Sequence, residues 1–234
     1  MIDIQGLHFR WPGAAHDVVQ IDHLHVEAGS TLFLHGPSGS GKSTLLGLLA
    51  GVLLPREGSV AVLGTRWDLL GSARRDAFRA DHVGYIFQQF NLLPYLAAVD
   101  NVLLPCRFSA RRHERAVAQA GSPLEAAREL LSRVGLDARD WQRPAAALSV
   151  GQQQRVAAAR ALIGRPELII ADEPTSALDA PLRDAFMAVL LEQCRSVGST
   201  LVFVSHDVQL APRFDQRMSI ASAQALDMAV GSST

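Results

Sequence analysis

Cysteine is nearly absent: Cys106 and Cys194 are the only two in 234 residues. Neither belongs to a CxxC or Cys/His pattern, which excludes a zinc module and a disulfide scaffold and points to a reducing compartment. No long hydrophobic run exists. The longest, Leu45 to Leu54, is interrupted by Gly47 and Gly51 and falls short of the roughly 18 residues a bilayer span needs. The start, Met1-Ile2-Asp3-Ile4-Gln5, lacks the basic and apolar regions of a secretory signal. Charge of one sign is also missing. Lys and Arg number 22 against 23 acids, a net −1, which excludes binding nucleic acid through a global positive field. Hydrophobic residues make up 48%, and a core of that size excludes general disorder. The expectation is a soluble, near-neutral cytosolic globule of one or two domains.

The hydropathy pattern alternates between strand and helix. Ile2 to Phe9, Val18 to Val26 and Thr31 to His35 read as strands, followed by glycines and an apolar helix beginning near Leu45. Strand, Gly-rich loop and helix open an α/β unit. Gly58 to Gly64 and Val83 to Phe87 add short strands. Residues 107 to 123 show little periodicity and read as a linker or surface insertion. Ser122-Pro123-Leu124-Glu125 has the capping-box pattern of a helix running to Val134 and stopping at Gly135. Ser149 to Ile163 predicts a helix, Glu167 to Ala171 a strand, Ala180 to Arg195 a helix and Thr200 to Val204 a strand. The helical middle, about 88–163, is read as an inserted subdomain of one domain over 1–221. Residues 222–234 are read as a flexible tail.

The chemistry starts at Gly36-Pro37-Ser38-Gly39-Ser40-Gly41-Lys42-Ser43, which fits G-x-x-x-x-G-K-[ST], with Thr44 next. Glycines let successive N–H groups turn inward as an anion nest, and the following helix adds its positive end. Lys42 supplies a point charge for the β- and γ-phosphates, and the Ser43 hydroxyl can ligate Mg²⁺. A chain of this length meets the pattern by chance roughly 1% of the time. Leu168-Ile169-Ile170-Ala171-Asp172-Glu173-Pro174 is an apolar strand ending in two carboxylates. In a parallel sheet both would face the phosphate loop. Asp172 then serves Mg²⁺, and Glu173 polarises the water that attacks the γ-phosphate. Adjacent acids favour hydrolysis over transfer to an acceptor.

Leu148-Ser149-Val150-Gly151-Gln152 resembles the LSGGQ signature of ABC-type ATPases. The resemblance continues through Arg160-Ala161-Leu162, Asp172 to Asp179 and Val204-Ser205-His206-Asp207, and covers nearly the whole chain in the family's order. It implies a P-loop (RecA-like) α/β ATPase core with an N-terminal antiparallel β subdomain and an inserted α-helical subdomain. ATP and Mg²⁺ are the implied cofactors. Two copies would pack head to tail, with Ser149, Gly151 and Gln152 capping the γ-phosphate bound to the opposite copy and Ser176 to Asp179 crossing the seam. Gln88 matches the glutamine that contacts Mg²⁺ and the attacking water, with Gln89 adjacent as the alternative. His206 matches the γ-phosphate histidine. Trp11 matches the residue that stacks on adenine, with Phe9 as its competitor. Val150 departs from the family by replacing the first signature glycine.

The stretch from Gly84 to Pro94, with Asp100-Asn101-Val102, is similar to the lipoprotein-release, macrolide-export and FtsE-like branch. That branch implies a separate FtsX/MacB-like permease, with the ATPase cytoplasmic and peripheral on the inner membrane face. Leu92, Leu93, Tyr95 and Leu96 are candidates for its docking, and Arg107, Arg111, Arg112 and Arg115 form a local basic cluster. The alternatives are a nucleotide-dependent regulatory clamp with little turnover and a soluble ABC ATPase outside transport.

Overall fold

The computed structural model describes residues 1–176 and 178–220. The expectation of a flexible 222–234 tail lies outside the described residues, as does Ala177 in the Ser176–Asp179 stretch. Along the chain run β1 (Ile2–Phe9), β2 (Val19–Val26), β3 (Thr31–His35), α1 (Lys42–Leu49), β4 (Glu57–Val62), β5 (Thr65–Arg66), α2 (Ser72–His82) and β6 (Val83–Ile86). Four helices follow: α3 (Ala98–Phe108), α4 (Ala110–Ala120), α5 (Pro123–Arg133) and α6 (Val150–Leu162). The chain then returns through β7 (Leu168–Asp172), α7 (Ala180–Val197), β8 (Thr200–Val204) and β9 (Gln216–Ser219).

Two sheets result. The first, ordered β2-β1-β4-β5, is antiparallel. Its buried positions change parity along β1, from Ile2 and Ile4 to Leu7 and Phe9. A register shift between Gln5 and His8 against β4, with Gly6 at φ 54°, turns the strand so that both pairs reach the core. The second sheet, β6-β7-β8-β3-β9, is parallel throughout. Its strands are apolar runs because both faces are covered.

Alternate residues of these strands feed different cores. Phe33, Ile169, Ala171, Leu201 and Phe203 pack with α3, α5, α6 and α7. Leu32, Leu34, Leu168, Ile170, Val202 and Val204 pack with α1 and the antiparallel sheet. Helices α3 to α6 occupy the middle that was read as an inserted unit, and their apolar faces are continuous with one sheet face.

The linker expected over 107–123 is instead helical: α3 extends to Phe108, and α4 fills Ala110–Ala120. The buried side of α4 consists of Arg112 and Ala116, with an arginine where an apolar residue would have shown the period. Ser109 caps α4 by accepting the Arg112 N–H at 3.0 Å. Of the basic cluster read in this segment, Arg111 and Arg115 share one carboxylate, both donating to Glu167, at 2.8 and 2.7 Å.

Candidate active site

All strands of the second sheet point the same way, so their carboxyl ends share one edge. Gly36 follows β3, Asp172 ends β7 with Glu173 next, His206 lies two residues past β8, and Gln88 two past β6. Four distant stretches of sequence thus converge where parallel sheets bind ligands.

The loop from Gly36 to Gly41 links the end of β3 to the start of α1. Gly39 and Gly41 have φ of 78° and 92°. A Cβ on Gly41 would stand 2.6 Å from the Val18 carbonyl oxygen, so only glycine fits there. Pro37, Ser38 and Gly39 are exposed, Ser40 is buried, and Ser43 and Thr44 begin the first turn of α1, where helix N–H groups are free for an anion. The Lys42 ammonium is folded into the loop, donating to the Gly36 and Pro37 carbonyls at 2.9 and 2.8 Å.

Ser43 Oγ donates to Asp172 Oδ2 at 3.3 Å, joining the phosphate loop to β7. Burial pushes the Asp172 carboxyl up. The Ser43 bond opposes this, the neighbouring Glu173 charge adds to it, and Lys42 counters. A carboxylate so disfavoured gains from a bound cation. A hydroxyl beside a carboxylate suits Mg²⁺, which takes oxygen ligands, few of them from protein, beside substrate phosphates. No cluster of three or more His, Cys, Asp or Glu that could hold a metal occurs among the described residues. Glu173 is a non-glycine residue at φ 45°, fixed by its N–H donating to the Val204 carbonyl at 3.1 Å. His206 Nε2 lies 2.6 Å from Glu173 Oε1. Strain of this kind, costing about 1–3 kcal/mol, concentrates at functional sites.

The other candidates make no side-chain hydrogen bond to Ser43, Asp172, Glu173 or His206. Gln88 and Gln89 are both exposed in the turn after β6. Trp11 is 45% exposed with its ring edge-on to the buried Phe9, 5.2 Å between centroids, so of the two only Trp11 presents a free face. Asp179 caps α7, accepting the Leu182 N–H at 3.0 Å. Ser149 and Gln152 form a reciprocal capping box at the start of α6, and Val150, 50% exposed, is the first helical residue. Val150 is not among the positive-φ residues, so replacing glycine there demands no left-handed backbone.

Several supporting residues escaped sequence reasoning. Buried Asp140 accepts from Gln152 Nε2 and Arg143 Nη1, both at 2.7 Å. Gln154, inside α6, donates to the Pro174 carbonyl at 2.7 Å. Arg160 donates to the carbonyls of Phe90 and Asn91, two residues at positive φ just after Gln88. Arg183 on α7 pairs with Asp207, beside His206. Arg160 and Asp207 lie in the stretches that carry the family resemblance, but nothing in their spacing names the partners they bond.

A phosphate loop before a helix, facing a strand-end Asp-Glu pair and a histidine, defines a P-loop nucleotide hydrolase. The family model described as "ABC transporter" matches residues 19–176, and the chain belongs to that family. Among curated relatives, the uncharacterized ABC transporter ATP-binding protein YbbA of Escherichia coli (strain K12) is 42% identical over 86% of this chain and 85% of its own. The lipoprotein-releasing system ATP-binding protein LolD of Cereibacter sphaeroides is 42% identical over 82% and 83%. The macrolide export ATP-binding/permease protein MacB of Rhodopirellula baltica is 38% identical over 92% of this chain but only 31% of that protein. Among solved structures, the dimeric post-hydrolysis state of the ATP-binding cassette MJ0796, bound to ADP and Pi, superposes with TM-score 0.82 at 32% identity, over 95% of this chain and 97% of that one. The protein is an ABC ATPase, an ATP-binding and hydrolysing subunit of a transporter. No helix among the described residues is long and apolar enough to cross a membrane.

Proposed function

We propose that two copies close head to tail over two ATP molecules and drive a separate permease of the FtsX/MacB-like class, with the ATPase held at the inner membrane face through that partner. The observation that carries the reading is the split between its halves. Phosphate-loop, acid and histidine residues share one sheet edge, while Ser149, Gly151 and Gln152 begin a helix and none of the three is bonded to Lys42, Ser43, Asp172, Glu173 or His206. A Cβ on Gly151 would meet nothing within 4 Å. Its own chain therefore gives no reason for glycine, and the γ-phosphate of an opposing copy does. The dimeric MJ0796 cassettes and the names LolD and MacB support pairing and a membrane partner.

In this reading Lys42 leaves the Gly36 and Pro37 carbonyls for the β- and γ-phosphates. Loop amides and the first turn of α1 hold the remaining phosphate oxygens. Trp11 stacks on adenine. Ser43, Asp172 and Gln88 hold Mg²⁺, which supplies charge neutralisation at the phosphates. Glu173 orients and deprotonates the attacking water, while His206 fixes Glu173 and then reaches the γ-phosphate. Asp179 lies at the seam. The Glu173→Gln variant should lose about 10²- to 10⁴-fold in kcat with ATP binding retained. Unchanged turnover would remove Glu173 from this role.

A further inference from the structure

The start of α6 rests on a buried acid from an earlier part of the chain. Asp140 ends a single 3₁₀ turn, Ala138–Asp140, and only 3% of it is exposed. Its carboxylate accepts from Gln152 Nε2 and from Arg143 Nη1, both at 2.7 Å. The segment around it is itself fixed. The Ala98 and Val99 N–H groups donate to the carbonyls of Arg143 and Trp141, both at 3.0 Å, and Trp141 Nε1 donates to the Leu136 carbonyl at 3.0 Å. The first two bonds also satisfy donors in the first turn of α3, which have no partner within their own helix.

Gln152 is held from two sides. Its Oε1 accepts the Ser149 N–H at 2.9 Å, and its Nε2 faces Asp140. Paired with the Arg143 guanidinium, the Asp140 side chain is a carboxylate and can only accept. It therefore admits one orientation of the Gln152 amide, the one that leaves the oxygen for Ser149. Turned over, the amide would set two donors together at Ser149 and two acceptors together at Asp140. Ser149 Oγ accepts the Gln152 N–H at 3.3 Å, which closes the other half of the capping box. The N–H groups of Val150 and Gly151 remain as first-turn donors without an intrahelical partner. An apolar side chain would fill the space of a buried carboxylate at less cost. It could not set the direction of an amide.

We propose that Asp140 is a positioning residue for the ATPase reaction: its carboxylate orients the Gln152 amide and so holds the Ser149–Gly151 turn in the shape that closes on nucleotide bound to a second copy. This rests on the head-to-tail reading above and adds the group that sets the geometry of its far half. Asp140 touches no nucleotide in this arrangement and acts through Gln152 alone. Arg143 neutralises the acid, so that its charge does not oppose a phosphate arriving at the same helix end.

Three variants of the purified chain separate positioning from plain stability. Asp140→Asn keeps the shape but offers Gln152 a donor as well as an acceptor, so the amide is free to turn over. Its kcat should fall at least tenfold while the ATP affinity of the single chain, by isothermal titration, stays within twofold. Asp140→Leu removes the acceptor and the buried charge together; it should fold and lose kcat to the same degree. Arg143→Met breaks the same ion pair without giving Gln152 a donor. It should melt about 2–4 °C lower and keep kcat within threefold. Full kcat in either Asp140 variant, a parallel loss of single-chain ATP affinity, or an equal kcat loss in Arg143→Met would overturn the proposal. Light scattering then separates it from the reading beneath it. Glu173→Gln should pair in MgATP, and adding Asp140→Asn should raise the MgATP concentration for half-pairing at least tenfold. Equal pairing with and without Asp140→Asn would overturn the proposal and leave head-to-tail closure standing. A Glu173→Gln chain that binds MgATP and does not pair would bring down both.

Discussion

Gly41 sits at φ 92° with the Val18 carbonyl where a Cβ would go, whereas Gly151 is helical with open space around it. The two should therefore fail in opposite ways. Gly41→Ala strains the loop by about 1–3 kcal/mol. In isothermal titration it should weaken ATP binding by two orders of magnitude or more. Gly151→Ala should leave the melting point unchanged or raise stability by up to about 1 kcal/mol, because alanine favours helix. It should keep single-chain ATP binding and still lose at least tenfold in ATPase rate. Equal damage to both readouts at Gly151 would mean the residue serves its own chain. At this scale the sequence was legible where chemistry needs fixed spacing along the chain, as from Gly36 to Ser43 and at Asp172-Glu173. It was silent where a side chain reaches a distant backbone. Nothing in the local pattern says that Gln154 bonds the Pro174 carbonyl or that Arg160 bonds those of Phe90 and Asn91, since both depend on how α6 is laid beside those loops.

Among the elements, α4 shows how a helix can hide from hydropathy. Its inward face carries Arg112, and its outward arginines clamp the start of β7 through Glu167. Burial pushes the Glu167 carboxyl up, but bonds from Arg111, Arg115 and His82 outweigh it and hold it at about 2. A carboxylate lowered from its ordinary 4.5 contributes stability that is complete above that value and is lost as pH falls toward 2. Glu167→Gln should thus cost about 1–3 kcal/mol at neutral pH, because three donors lose an ionised acceptor. Thermal melts across pH 4.5 to 2 should show a shallower acid decline than the parent; an identical slope would mean the clamp contributes nothing. The strands were legible for a simpler reason. β3, β7 and β8 lie between two cores, so they read as unbroken apolar runs. In β1 the parity change at Gly6 broke the alternation without hiding the strand, because Ile2, Ile4, Leu7 and Phe9 all stayed apolar.

Across the whole molecule, the parallel sheet gathers the candidate residues at one edge, and α3 to α6 form a helical flank beside it. In the proposed reading the edge binds the phosphates, and the flank carries Ser149 and Gly151. Closure of two copies would bring each flank to the other's edge. The proposed composite site is legible only through family resemblance, because residues that would meet across two chains leave no spacing signal within one. The most direct test is the mass of the Glu173→Gln chain by light scattering, with and without MgATP. The account predicts the 25.2 kDa chain without nucleotide and twice that mass with MgATP, with two ATP retained per pair, and no shift when Lys42→Ala is added. A Glu173→Gln chain that binds MgATP and stays at the single-chain mass would contradict it.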